Sequence, residues 1–268
     1  MKRIMAMVLL LTIVLFSHLV KSIDVSSVDI SVESDDYRCC LAITVIQLIP
    51  DDKLKQKFVA QDYLIMEYAK KPKEFEDPQS HNGSYLLDNI MYGYESLIDA
   101  MNYGNWTLIA MRYGVLSHWV GDASDPFNVV SVNQTTIEHM RVYEQFIDIW
   151  SDDIFEGILD KYKAQIEEEK NITRAIEELI NNAKRKFASV VTAINNNDTA
   201  MLLHISETLA SEAVKVLYTI VMNAIKNSEL AKSHRVLQRW YIVAIAMIGL
   251  SAIIIGWGEI KKRTVRRV

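Results

Sequence analysis

The run from Tyr113 to Asn128, YGVLSHWVGDASDPFN, constrains this chain more than any other stretch, because it sets a histidine and an aspartate four residues apart in an otherwise apolar segment. Residues at that spacing share one helix face, so the His118 imidazole and the Asp122 carboxylate can converge on a single cation. The same run contains its own stop. The residue before a proline is pushed out of the α region, so Asp125-Pro126 ends the helix and turns the chain away from the pair.

The rest of the chain reads as helix, and no strand signal of any length appears. Leu41 to Ile49 is apolar and ends at Pro50; Asp51-Asp52 then opens a helix predicted to reach about Lys70. Pro72 and Pro78 bracket a loop that runs to Ser84. Helical spacing returns from Tyr85 to Met101, from about Trp106 to Asp122, and from Ile137 to about Ile149. From Asp153 to Asn227 the chain is helix-rich, with Asn181-Asn182 and Asn195 to Asn197 as punctuation and a core stripe through Tyr162, Ile166, Ile172, Ile176, Leu179 and Ile180. The expected class is all-α, one multi-helix domain over residues 37–235 with appendages at both ends.

Those appendages set the compartment. Residues 1–22 have a basic start at Lys2-Arg3, an apolar run from Ile4 to Phe16 and a small residue at Ser22, the layout of a secretory signal; an uncleaved N-terminal anchor is the alternative. Residues 23–36 are a Ser/Val/Asp-rich lead-in. Trp240 to Trp257 is an uncharged run of eighteen residues, about 27 Å as a helix, with aromatic residues at both borders. It reads as a transmembrane helix. The basic tail 258–268 follows as a cytoplasmic flank would, which puts the main domain outside the cell.

Five N-x-S/T sequons, at Asn82, Asn105, Asn133, Asn171 and Asn197, fall between the two hydrophobic ends and support an external, glycosylated domain. The only two cysteines, Cys39 and Cys40, are adjacent, so no disulfide framework is expected. With both ends set aside, 21 basic and 33 acidic residues remain, a net charge of about −12 with histidines neutral. That balance argues against nucleic-acid binding through a basic groove. It leaves room for metal-dependent attack on a phosphodiester, because bound ions supply their own positive charge.

Four pieces together carry a family resemblance: Ala60-Gln61-Asp62-Tyr63, Ser80-His81, the run YGVLSHWVGDASDPFN, and the segment from His139 to Tyr143-Glu144. In this order, over about residues 37–150, they resemble the zinc-dependent phospholipase C family, whose fold is shared with the S1/P1 nucleases. The resemblance implies an all-α fold and a zinc cluster. It implies one zinc site made by Asp62, His81, His118 and Asp122, with Asp62 also the general base and Asp122 bridging to a neighbouring ion. His139 and Glu144 are the candidates for a second site.

The chain also departs from that pattern. Asn128 stands where the family has a histidine, and Met140 stands four residues before Glu144, where another is expected. His139 lies five residues before Glu144, about 140° beyond a full turn. Cys39 or Cys40 falls where the family has an N-terminal histidine; each is either a thiolate ligand or a packed core residue. The implied function is a membrane-anchored extracellular phosphodiester hydrolase acting on phospholipid head groups through Zn2+. Two alternatives stand beside it. One is an S1/P1-like nuclease or nucleotidase, for which Trp106, Trp119 or Tyr85 would stack bases. The other is a non-catalytic surface protein with one structural zinc.

Overall fold

The computed structural model describes residues 36–70, 85–130, 137–163, 166, 169 and 171–228, and among them it contains eight α-helices and no strand. In chain order these are α1 (Tyr37–Leu48), α2 (Asp52–Val59), α3 (Asp62–Lys70), α4 (Leu86–Tyr103), α5 (Trp106–Ser124), α6 (Ile137–Tyr162), α7 (Ile172–Asn195) and α8 (Thr199–Asn227). The all-α class expected from periodicity is the class observed. The signal segment 1–22, nearly all of the lead-in, the transmembrane run 240–257, the tail 258–268 and His81 lie outside the described residues.

The helix carrying the His118/Asp122 pair is the hub. Asn105 caps α5 by accepting the Leu108 N–H at 3.2 Å, and Asp125 ends it in an extended conformation (φ −85°, ψ 119°), as a following proline requires. From Tyr113 to Ser124 every residue of α5 is buried, because α1, α3, α4, α7 and α8 all pack against it. A helix covered on all sides has no solvent face for polar groups. His118 and Asp122 are therefore core residues whose partners must come from neighbouring helices.

Two glycines let those neighbours in. A Cβ on Gly114 would lie 2.5 Å from the Ile65 carbonyl oxygen and 2.8 Å from Tyr68 Cβ, so α3 can lie on α5 only where that side chain is missing. A Cβ on Gly121 would lie 2.9 Å from Arg38 Cγ of α1. Around these crossings the Tyr113 hydroxyl donates to the Ala42 carbonyl at 2.5 Å, and Phe58 of α2 packs edge-on against Tyr113 and Trp106.

Element boundaries differ from expectation in three places. The helix expected over 51–70 breaks at Ala60-Gln61, and the two halves bury separate pairs, Leu54 with Phe58 and Ile65 with Ala69. The helix expected to stop near Ile149 runs on to Tyr162, since Ser151, Ile154, Phe155 and Ile158 continue its buried stripe. Asn181-Asn182 does not interrupt α7, because the stripe Ala175, Ile176, Leu179, Ile180, Ala183 passes through it and Asn182 Nδ2 donates to Glu212 of α8 at 2.8 Å. The second Asn cluster does break the chain, with Asn197 left-handed at φ 52° and Asp198 capping α8.

Among the described residues one helix, α8, is long and apolar enough to cross a membrane, and about two-thirds of its most apolar stretch is buried within the protein. Its packing against α1, α4, α5, α6 and α7 accounts for that composition. The three described sequon asparagines, Asn105, Asn171 and Asn197, are all exposed.

Candidate metal centre

His118 is oriented from α3. Its Nδ1–H donates to the Ala69 carbonyl at 2.7 Å, one of the last-turn carbonyls that have no partner within their own helix. That bond turns Nε2 toward Asp122, whose Oδ2 lies 3.3 Å away. Both side chains are buried, His118 at 5% exposure and Asp122 at 0%. A charge-assisted N–H to carboxylate bond is normally about 2.7–2.9 Å, whereas two ligand atoms bound tetrahedrally to zinc at about 2.0–2.1 Å lie about 3.3–3.4 Å apart. The observed 3.3 Å is longer than such a hydrogen bond and falls in the range that two ligands of one zinc ion would show. The backbone carbonyl on Nδ1 is the outer partner that zinc-bound histidines usually have.

The other oxygen of Asp122 is occupied from α1. Arg38 Nε and Nη2 donate to Oδ1 at 2.9 and 2.5 Å, and Asn128 Nδ2 donates to the same atom at 3.2 Å. Burial works against the Arg38 charge, but the Asp122 carboxylate outweighs it and holds the guanidinium protonated. The Asp36 side chain caps α1 through the Arg38 and Cys39 N–H groups, and Tyr37 is tied at both ends, its N–H to Asp148 Oδ1 at 3.2 Å and its hydroxyl to Ser124 Oγ at 3.1 Å.

Beside Arg38 lies a cavity of about 170 Å³ lined by Tyr37, Arg38, Gly121, Asp125, Glu144, Ile147 and Asp148. Burial pushes the Asp125 carboxyl up to about 7, although the Phe127 N–H at 2.8 Å and Arg38 favour its ionised form. Burial also raises Glu144 and Asp148 above the usual carboxylate range. The cavity therefore sets one fixed positive charge among carboxyls that burial makes readier to hold a proton.

The remaining predicted residues are distributed as follows. Asp62 opens α3, seven residues before Ala69, which is about 10 Å along the helix from the carbonyl that holds His118. Its Oδ1 accepts the adjacent Tyr63 N–H. Glu144 faces the cavity, whereas His139 Nε2 pairs with Asn195 Oδ1 at 2.9 Å, so the structure directs these two residues of α6 to different partners. Among the described residues no three His, Cys, Asp or Glu side chains come together in a metal-holding group.

Cys39 and Cys40 are buried free thiols, hydrogen-bonded to the Met66 carbonyl and to Asp152, and burial pushes the Cys40 thiol far above its ordinary value. Trp119 is buried and Trp106 packs on Phe58; neither lines the cavity.

Arg38 was not anticipated as a site residue. Its signal in the sequence is a lone cation in the otherwise apolar helical stretch YRCCLAITVI, which needs a buried anion to pair with. Compared with known proteins, the chain matches no family model and no curated protein sequence.

Proposed function

We propose that this chain is a membrane-anchored, extracellular phospholipase C-like protein, a metal-dependent phosphodiester hydrolase whose substrates are phospholipid head groups. The observation that carries the reading is the His118/Asp122 pair, locked by Ala69 and spaced as two ligands of one zinc ion. His81 is the further ligand that the phospholipase C resemblance supplies; Asp62, which the resemblance also names, stands about two turns back along α3 from the pair. When bound, zinc supplies a hydroxide nucleophile near neutral pH.

The chain's own residues have separate tasks in this scheme. Arg38 presents a guanidinium to the cavity, where it suits a phosphoryl oxygen. Asp125 and Glu144 border the same space as carboxyls that burial makes readier to hold a proton. The run 240–257 holds the domain at the surface where such substrates lie.

A specific observation favours a second reading, the non-catalytic surface protein with one structural zinc. Asp122 has no exposed surface, and the cavity is walled by neither His118 nor Asp122. A closed ion of that kind staples helices without catalysing.

Purified protein is assayed on phosphatidylcholine vesicles and on a bis-aryl phosphate, with and without a chelator. Hydrolysis that the chelator and His118→Ala both abolish is the expected result. A bound zinc whose removal lowers the melting temperature, with no hydrolysis of either substrate, overturns the enzyme in favour of the staple.

A further inference from the structure

We infer that the cavity beside Arg38 is a binding site for a small aminoethoxy ligand, its primary ammonium seated among Asp125, Glu144 and Asp148 and its oxygen end at the Arg38 guanidinium. The inference uses the cavity alone and needs no metal at His118. Among the described residues the three carboxyls bordering this space keep open acceptors. Asp125 Oδ1 accepts the Phe127 N–H and Asp148 Oδ1 the Tyr37 N–H, which leaves each Oδ2 without a protein partner, and Glu144 makes no hydrogen bond or ion pair. Asp125 is only 5% exposed, so its second oxygen has little but the cavity to face.

The charges define what fits. Arg38 is the one cationic side chain in the lining, and the Asp122 carboxylate already matches it through Nε and Nη2. Its Nη1 N–H groups make no hydrogen bond among the described residues, so they can meet a ligand oxygen. The other three carboxyls share the space without a cation of their own in the lining. Burial opposes their ionisation, and an ammonium in their midst would offset that cost.

The lining also selects the kind of amine. A primary ammonium has three N–H donors and no acceptor, the complement of three carboxyl groups. A quaternary ammonium has no N–H to give and is held by aromatic faces. This lining has one ring, Tyr37, which packs against Phe155 with centroids 5.2 Å apart and whose hydroxyl is bonded to Ser124. At about 170 Å³ the cavity has room for several water-sized groups of ~30 Å³ each, enough for the nitrogen, two carbons and oxygen of an aminoethoxy group. Ile147 supplies an apolar wall for the methylenes.

The test is calorimetric titration of the full-length chain, purified in detergent, with ethanolamine and with choline in an amine-free buffer containing a chelator. Saturable binding of ethanolamine is expected. Choline is expected to bind about tenfold or more weaker, and Glu144→Gln to weaken ethanolamine by a similar factor, the size of one hydrogen bond to a charged group. No saturable ethanolamine binding, choline bound as tightly, or Glu144→Gln binding as well as wild type overturns the inference. Should Glu144→Gln fail to fold, Asp148→Asn, whose amide oxygen still accepts the Tyr37 N–H, takes its place with the same two outcomes. A short-chain phosphatidylethanolamine that displaces ethanolamine makes the ligand a lipid head group, and one that does not makes it a free amino alcohol; the site stands in both cases. A chain that binds ethanolamine without hydrolysing either substrate loses the enzyme reading and keeps this one.

Discussion

Asp125 illustrates how far burial alone shifts a side chain in this site. Its carboxyl rises to about 7 because desolvation outweighs the Phe127 N–H and Arg38, with Glu144 and Asp122 pushing the same way. A carboxyl that holds its proton more tightly when folded contributes stability fully below its unfolded value near 4 and loses it as pH rises through 7. Between pH 5 and pH 8 the unfolding free energy is expected to fall by about 2 to 3 kcal/mol through this group. Asp125→Asn keeps an acceptor for Phe127 and flattens that slope. Urea unfolding at the two pH values checks it, and equal slopes in variant and wild type would contradict the assignment.

His118→Ala is expected to lose bound zinc and, by opening a cavity and stranding the Ala69 carbonyl, to cost about 2 to 4 kcal/mol of stability. Unchanged zinc content in that variant would remove His118 from the site. The pairing of His118 with Asp122 was legible from their spacing, because residues four apart meet on any helix. Arg38 was legible only as a cation needing an anion. Its partner lies 84 residues away, and helix periodicity carries no information about which helices cross.

The α3–α5 crossing decides what reaches the histidine. Ile65 lies against Gly114 and Ala69 against His118, so the two helices run in the same direction and Asp62 falls two turns behind the pair. That offset depends on where a glycine admits a close approach. The sequence shows Gly114 but not what it admits. Gly114→Ala is expected to force α3 outward, costing about 1 to 3 kcal/mol and weakening the His118–Ala69 bond. Thermal melting reports the first effect, and reduced zinc retention the second. A variant as stable as wild type would show that the crossing yields more easily than its geometry implies. Helix phase, by contrast, was readable: the five-residue step from His139 to Glu144 predicts different faces, and the two residues have different partners.

At the scale of the molecule the all-α class followed from periodicity and the scarcity of strand signals, and it is the class observed among the described residues. Helix ends were less readable, because α6 and α7 are prolonged by core stripes that neighbouring helices complete. Hydropathy did not separate the roles of two apolar segments. The α8 window passes for a membrane span yet is two-thirds buried, whereas the run 240–257 is proposed as the tether because aromatic borders and a basic flank accompany it. The full chain is expected to stay with membranes through an alkaline carbonate wash, and the chain lacking residues 240–268 to be released. Retention of the truncated chain would move the anchor elsewhere.

The central claim, that His118 and Asp122 are two ligands of one ion, is tested most directly by anomalous scattering at the zinc edge from crystals of the zinc-loaded protein. The account predicts a single peak about 2.0–2.2 Å from both His118 Nε2 and Asp122 Oδ2, with Arg38 still on Oδ1. No peak between those atoms, or a peak between Asp122 Oδ1 and Glu144 with Arg38 displaced, would contradict it.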